Sequence, residues 1–142
     1  MTLALTTQIE AIVFDGARPA YRDLRTPAAA VFPWLISFTT VAGDIVDMSG
    51  TSGSATWTSR WVVSSATATV LTVLSSTATA GGSQSSFPNG AAGEFQLLVS
   101  PTDNAILSAQ TGFLEHTLYL TDQFGNTYKA VYGMLYPSKD TG

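Results

Sequence analysis

Apolar and polar residues alternate along most of this chain, and a period of two is typical of β-strands with one buried face. Segments 31–40, 56–63 and 93–100 show the alternation most clearly, whereas the 3.6-residue period of an amphipathic helix is almost absent. The alternation predicts three strands that bury large side chains in a common core. The predicted inward-facing residues are Trp34, Ile36, Phe38, Trp57, Ser59, Trp61, Val63, Phe95, Leu97 and Val99.

The N-terminal part contains one further strand candidate and an aperiodic stretch. Residues 8–14 are a short strand candidate that ends at an Asp-Gly pair at 15–16, a dipeptide typical of turns. Residues 17–27 carry three Arg and two Pro without a period, so we expect a loop or an arm. Pro33 cannot donate to a strand ladder, which predicts that the strand over 31–40 begins at a sheet edge or a bulge.

The second half of the chain begins with an ambiguous strand and a polar segment. Residues 66–74 are rich in β-branched residues and half apolar on both faces, so their orientation stays open. Residues 75–88 consist almost entirely of Ser, Thr, Gly and Ala, which predicts a long flexible loop. Ser100 is a suitable N-cap for a Pro-containing first turn, and this predicts one short helical turn over 101–109.

Two long strand candidates complete the pattern, over 112–122 and 126–136, joined by a Gly-containing hairpin loop. The chain then has six or seven short strands and at most one short helical turn. Strands at this spacing indicate an all-β antiparallel sandwich with a single core. We divide the chain into an N-terminal strand and arm (1–29), the sandwich (30–137) and a C-terminal tail (138–142).

The composition limits the function classes. Only 11% of the residues are charged, less than half of the roughly 25% usual for a soluble domain. A net charge of −4 and a positive mean hydropathy of +0.21 predict a folded chain, and the absence of cysteine excludes disulfides, thiolate metal sites and thiol nucleophiles. Six basic residues cannot form a phosphate-tracking surface, so we expect no nucleic-acid binding. So little charge is typical of a subunit packed against neighbours, and a low-charge monomer is the alternative.

The few residues suited to catalysis each have a structural explanation. The one histidine, His116, shares an apolar strand face with leucines, which favours a buried, hydrogen-bonded side chain over a base or ligand. Asp44 and Asp47 flank a turn, where aspartate normally hydrogen-bonds nearby backbone. The spacings of a nucleophile elbow, a P-loop and a calcium loop do not occur. We therefore predict no enzyme activity, no catalytic residue, no cofactor and no metal site.

A row of aromatic residues near the C-terminus is the main candidate for a functional surface. Two registers of the last strand are open, and they differ by one residue. In one, Val131 and Leu135 join the core and the tyrosines form an exposed stripe, a typical contact site because Tyr combines rigid apolar area with a polar tip. In the other, the tyrosines lie in the core. We favour the exposed stripe. With apolar residues of the first strand, the predicted interface comprises Ile9, Ile12, Phe14, Tyr119, Tyr128, Tyr132 and Tyr136.

Short motifs within residues 31–137 resemble a pattern of tailed-bacteriophage proteins. Residues 45–50 (IVDMSG) resemble a D-[LM]-[ST]-G turn after a long strand, and residues 93–103 (GEFQLLVSPTD) resemble a G-x-[FIV]-x-[LV] strand before a Ser-capped turn. The hairpin at 121–125 and Gly133 continue the match. The chain resembles the immunoglobulin-like domain at the N-terminus of phage baseplate upper proteins and in small tail or baseplate accessory proteins.

The resemblance implies an immunoglobulin-like sandwich of about seven strands that is a structural virion component of the tail or baseplate, without catalysis. Its implied partners are other copies, in a symmetric homo-oligomer, and neighbouring virion proteins. The first thirty residues and the loop 75–88 depart from the pattern, and both are candidate arms toward a neighbour. No signal-peptide pattern or bilayer-length apolar run occurs, so we expect synthesis in the host cytoplasm and no membrane partner.

Two other functions stay open beside this one. The chain could be a capsid decoration protein, or a carbohydrate-binding host-attachment module in which Trp34, Trp57 or Trp61 stacks on a sugar. Because these tryptophans are predicted to face the core, the module is less favoured. If residues 2–14 form an arm, deletion of residues 1–16 is predicted to abolish incorporation into particles while the fold stays intact.

Overall fold

Strands dominate the computed structural model, which describes residues 9–75 and 82–139. Its elements in chain order are β1 (Ile9–Val13), β2 (Ala20–Tyr21), β3 (Leu24–Thr26), β4 (Phe32–Thr39), β5 (Thr51–Ser52), β6 (Ala55–Thr56), β7 (Thr58–Ser64), β8 (Thr69–Leu74), β9 (Gln84–Asn89), a 3₁₀ turn (Gly90–Ala92), β10 (Glu94–Val99), α1 (Pro101–Ser108), β11 (Leu114–Thr121) and β12 (Thr127–Pro137).

The first sheet has the strand order β1-β4-β10-β9, with β4 parallel to β1 and antiparallel to β10. Trp34, Ile36 and Phe38 of β4 are buried, which confirms the inward face predicted from the alternation. Pro33 pairs with β10, and within the described residues the register with β1 begins only at Leu35. The proline therefore lies where its missing N–H removes no hydrogen bond to β1.

The second sheet has the order β2-β12-β11-β7-β8, and β3 also pairs with β12. Both β2 and β3 run parallel to β12, so the predicted loop or arm over 17–27 is wrong for residues 20–21 and 24–26. The turn at Asp15 reverses the chain after β1, with the Arg18 N–H donating to the Asp15 carbonyl at 3.2 Å. Strands of two and three residues are too short to show a period, which is why the sequence pattern missed them.

Strand β9 occupies part of the segment that was predicted to be a loop. Residues 84–89 pair antiparallel with β10, while residues 76–81 of the predicted loop lie outside the described residues. The hydroxyl of Ser85 hydrogen-bonds the hydroxyl of Ser59 at 2.6 Å, and both side chains are buried. Since Ser85 belongs to the first sheet and Ser59 to the second, this hydrogen bond links the two sheets. The Ser-rich composition of residues 75–88, which predicts a loop, gives no indication of this contact.

The core lies between the two sheets and contains the inward-facing residues that the alternation predicted, except that Trp57 is only half-buried against it. Trp61, Phe38 and Phe95 are the largest of the fully buried side chains, and each contributes about 1.5–3 kcal/mol relative to leaving it in water. The result is a mostly β protein of open mixed sheets packed together, with one short helix in the described part. The predicted wholly antiparallel arrangement is wrong, because β1, β2 and β3 are paired in parallel.

Helix α1 begins where its N-cap was predicted. The Asp103 N–H donates to the Ser100 hydroxyl at 3.2 Å, and Pro101 lies in the first turn. The helix has eight residues, so it is longer than the single turn expected. Leu107 and Asn104 are buried against the body of the protein, and this tertiary packing extends the helix beyond its cap.

Candidate functional site

The outward side of the second sheet carries a cluster of tyrosines. Tyr21 of β2 lies beside Tyr132 of β12, and their rings meet edge to face at a centroid distance of 5.2 Å. Tyr132 and Tyr136 are 37% and 39% exposed although both are large aromatic residues, and Tyr119 is half-buried in the neighbouring strand. We call this surface the tyrosine face; it comprises Tyr21, Tyr119, Tyr132 and Tyr136.

A β-bulge in β12 divides the predicted tyrosine stripe. Leu118 pairs with Val131 whereas Tyr119 pairs with Lys129, so one extra residue, Ala130, is accommodated between them. Val131 and Leu135 are buried as predicted, and Tyr132 and Tyr136 therefore face outward.

Tyr128 lies beyond the bulge and turns to the opposite side of the sheet. It pairs with Leu120, packs against Phe14 at 5.4 Å between ring centroids, and donates from its hydroxyl to Asp122 at 3.1 Å. The prediction that Tyr128 shares the exposed stripe is wrong, because a single bulge reverses the facing of the residues before it.

Three cations cover rings of the tyrosine face. The guanidinium of Arg60 lies 4.6 Å from the Tyr119 ring centre, that of Arg25 lies 5.0 Å from Tyr136, and the Lys129 ammonium lies 4.8 Å from Tyr132. These distances are within the range of cation–π attraction, which contributes about 0.5–1 kcal/mol at exposed sites. None of the three cations forms an ion pair with a carboxylate of the described residues.

A shallow depression of about 280 Å³ opens on the tyrosine face. Tyr21, Tyr132 and Lys129 line it, together with Glu115 and Gly133. Rings, an ammonium group and hydroxyls around a concave patch are suited to contact with another protein surface, since Tyr and Arg are enriched at interfaces.

Sequence reasoning did not find Tyr21, Arg25, Arg60 or Lys129 as members of this surface. One signal was present: Arg25 follows Tyr21 by four positions, and Tyr136 follows Tyr132, the partner of Tyr21 in the parallel register, by the same four positions. Matching spacings of this kind indicate a parallel pair only when one segment is already known to be a strand.

The residues predicted for the interface in the first strand divide between surface and core. Ile9 is 51% exposed on β1, which is an edge strand of the first sheet among the described residues. Ile12 is buried, and the ring of Phe14 packs edge to face on Phe38 at 5.9 Å. Only Ile9 of these three presents substantial area to a neighbour, and residues 1–8 lie outside the described residues.

Beneath the tyrosine face, a hydrogen-bond network joins the two sheets and runs from buried Trp61 and His116 to the partly exposed Arg22–Glu10 pair. The Trp61 indole N–H donates to His116 Nδ1 at 3.2 Å, and His116 Nε2 donates to the Arg22 carbonyl at 2.6 Å. Arg22 Nε donates to Glu10 at 2.5 Å, and the other oxygen of Glu10 accepts from the Trp34 indole at 3.1 Å. The network confirms that His116 is a buried, satisfied side chain. It also fixes the segment that joins β2, which carries Tyr21, to β3, which carries Arg25.

Burial lowers the pKa of His116, and the hydrogen bond to the Arg22 carbonyl opposes this only in part. The ring is neutral in this arrangement, because Nδ1 must accept from the Trp61 N–H. At the rim of the network, the hydrogen bond between the Tyr21 hydroxyl and Asp23 lowers the pKa of Asp23, helped by the Met134 N–H, and raises the pKa of Tyr21.

The other residues considered for catalysis or ligand binding have structural roles. Asp47 accepts from the backbone N–H of Ser49 at 2.9 Å, so the turn interpretation of this aspartate is confirmed. Trp34 and Trp61 are buried in the core, as their strand faces predicted. Among the described residues, no three His, Asp or Glu side chains are grouped so that they could bind a metal ion.

Comparison with known proteins assigns no role to the tyrosine face. No protein-family model matches the chain, and a search of curated proteins finds no similar sequence. Within residues 9–75 and 82–139, no helix has the length and apolar character that crossing a bilayer requires.

Proposed function

We propose that this protein is a structural subunit of a tailed-phage virion, in the tail or baseplate, and that it acts through protein–protein contacts. The observation that carries the proposal is the tyrosine face, where four tyrosines lie on one side of the second sheet with three cations that form no ion pair within residues 9–75 and 82–139. Tyr provides large contact area with little loss of side-chain entropy, and Tyr and Arg are enriched among the residues that carry most of the binding energy of interfaces. The motifs of residues 45–50 and 93–103 support the phage context, and the immunoglobulin-like classification of the sandwich belongs to the same proposal.

The low charge of the chain supports an assembled state. With 11% charged residues, much of the surface presents hydroxyls, methyl groups and rings, and covering these groups costs less solvation energy than covering ionised groups. Exposed edges add a second mode of contact, because an edge strand such as β1 can accept a strand from another chain by backbone hydrogen bonds.

Incorporation into particles tests the proposal. Phage particles are assembled with the wild-type chain or with a Tyr132→Ala, Tyr136→Ala double variant, heads and tails are separated, and the chain is quantified in each by mass spectrometry. We expect the wild-type chain in the tail fraction and a strong loss of the double variant. Ile106→Ala is the matched control, because Ile106 is an exposed apolar residue of α1, away from the tyrosine face.

Three results separate the possibilities. Recovery of the wild-type chain in heads favours a capsid decoration protein. Absence from both fractions contradicts a virion role altogether. Equal incorporation of the double variant and the control contradicts the assignment of the tyrosine face as the contact surface.

A further inference from the structure

The charges of this chain are distributed unevenly over its surface. Three of the six basic residues lie on rings of the tyrosine face, whereas the carboxylates closest to them along the sheet are Asp23 and Glu115. The chain as a whole has a net charge of −4. The face carries these three cations against two carboxylates on an otherwise acidic molecule, and Arg60 and Lys129 both pair with Tyr119 in the sheet register. This part of the face suits a partner surface that combines carboxylates with apolar side chains.

One such surface is present on the chain itself, in the loop over residues 40–47 that follows β4. Val41 and Ile45 are 73% and 58% exposed, which makes them two of the most exposed large apolar residues in the described part. Asp44 and Asp47 are exposed beside them. We call these residues the acidic loop.

Hydrogen bonds hold the acidic loop in a fixed shape. The Thr40 N–H donates to the Asp44 carbonyl at 2.7 Å, and the Gly43 N–H donates to the Thr40 carbonyl at 2.9 Å. A β-bridge joins Ile45 to Thr39 at the end of β4. A preformed loop loses little conformational entropy on binding, which favours its use as a contact element.

We infer that the acidic loop of one copy of this protein docks on the tyrosine face of a second copy. In this contact Asp44 pairs with the Arg60 or Lys129 cation, and Val41 and Ile45 cover the tyrosine rings. The inference rests on the proposed function, since it names the partner of the same surface.

The contact is between molecules and joins two different surfaces. The acidic loop extends from the end of the first sheet, whereas the tyrosine face is the side of the second sheet turned away from it. The acidic loop of a chain therefore cannot contact the tyrosine face of the same chain. Contacts between unlike surfaces propagate head to tail, and they close into a ring or continue as a stack.

Charge reversal on the purified full-length chain tests the inference. Sedimentation equilibrium is measured from about 10 μM to about 1 mM, the range of a weak subunit contact. We expect the wild type to self-associate, and Arg60→Glu and Asp44→Lys each to raise the dissociation constant by roughly tenfold or more. The side chain of Asp44 accepts no hydrogen bond in the described structure, so its reversal leaves the loop intact.

Combining the two reversals in one chain gives the sharpest result. Arg60→Glu with Asp44→Lys restores the attraction with opposite signs, so association is expected to return toward the wild-type value. Arg18→Glu is the matched control: it changes the net charge as Arg60→Glu does, but Arg18 is exposed on the loop before β2. Lys129→Glu repeats the test on the face if the Arg60 variant does not fold, and circular dichroism checks the fold of every variant.

The outcomes distinguish this inference from the proposed function. A wild type that stays monomeric throughout, or reversal variants that associate as the control does, overturns the contact between copies. So does a double variant that associates no better than the single ones. If the monomeric chain nevertheless enters particles and Arg60→Glu does not, the face binds an acidic surface of another virion protein. The proposed function then stands while this inference fails.

Discussion

Gly133→Ala is the substitution for which the structure predicts the largest effect from the smallest change. Gly133 lies in β12 directly under the segment that joins β2 to β3, and an added Cβ would overlap the carbonyl oxygen of Arg22 and lie 2.6 Å from its carbonyl carbon. Carbon atoms in contact are about 3.5–4.0 Å apart, so the Arg22 backbone must move by roughly 1 Å.

That movement breaks two hydrogen bonds. The Arg22 N–H donates to the Tyr132 carbonyl at 2.9 Å, and the Arg22 carbonyl accepts from buried His116 at 2.6 Å. Losing the first costs about 1 kcal/mol, and leaving the buried His116 N–H unpaired costs about 1–3 kcal/mol. We expect Gly133→Ala to lower the free energy of unfolding by about 3 kcal/mol, and a chain of this size then loses roughly 10 °C in Tm.

Urea unfolding followed by tryptophan fluorescence measures this effect, because Trp34 and Trp61 are buried beside His116. Gly16→Ala is the matched control: its Cβ would lie 3.5 Å from ring carbons of Tyr128, an ordinary contact. We expect the control within about 0.5 kcal/mol of the wild type. If Gly133→Ala is equally stable, β2 and β3 are not held against β12 in the way described.

Three further predictions concern separate parts of the molecule. Folding lowers the pKa of His116 below its unfolded value of about 6.5, so the unfolded chain binds a proton at a higher pH than the folded chain does. The free energy of unfolding is therefore expected to fall as the pH drops from about 6.5 toward the lower folded pKa. Unfolding curves measured across that range are expected to show a weaker pH dependence for His116→Gln than for the wild type. Ser100→Ala removes the α1 N-cap and is expected to cost about 1 kcal/mol in urea unfolding, and an unchanged midpoint would contradict the cap. Deletion of residues 1–16 removes β1, and with it the buried side chain of Ile12 and the Glu10 carboxylate that pairs with Arg22. We therefore expect circular dichroism to show a marked loss of folded protein. The arm interpretation predicts an intact fold instead.

Much of the core was predictable because one face of each long strand is buried. In β4, β7, β10 and β11 the alternation assigns the inward side chains correctly, since a shift of one residue would expose every large apolar group at once. The N-cap at Ser100 and the turn at Asp47 were also predictable, because their hydrogen bonds involve residues only two or three positions away.

The missed elements depend on contacts between distant parts of the chain. Strands β2 and β3 exist because β12 offers a free edge and Gly133 allows the Arg22 backbone to approach. Strand β9 forms because it pairs with the edge of β10 that β4 leaves open, and because the Ser85 hydroxyl hydrogen-bonds the Ser59 hydroxyl across the core. Local composition contains neither fact, so an Arg- and Pro-rich stretch and a Ser-rich stretch were interpreted as loops.

The candidate surface was predicted in part for the same reason. Tyr132 and Tyr136 follow from the burial of Val131 and Leu135, whereas the bulge at Ala130 moves Tyr128 to the inner side and leaves no local signal. Tyr21 and Arg25 join the surface only through the parallel pairing with β12. The tyrosine face combines residues from strands that are distant in the sequence, so it depends on how the strands pair more than on any local motif.

A reconstruction of the proposed phage particle, at a resolution that places side chains, tests the central claim most directly. We predict that a neighbouring subunit covers the tyrosine face, with Tyr132 and Tyr136 buried and the cations Arg60 and Lys129 opposite carboxylates of that neighbour. A particle in which this side of the second sheet faces solvent in every copy would contradict the claim that the tyrosine face is the surface by which the protein assembles.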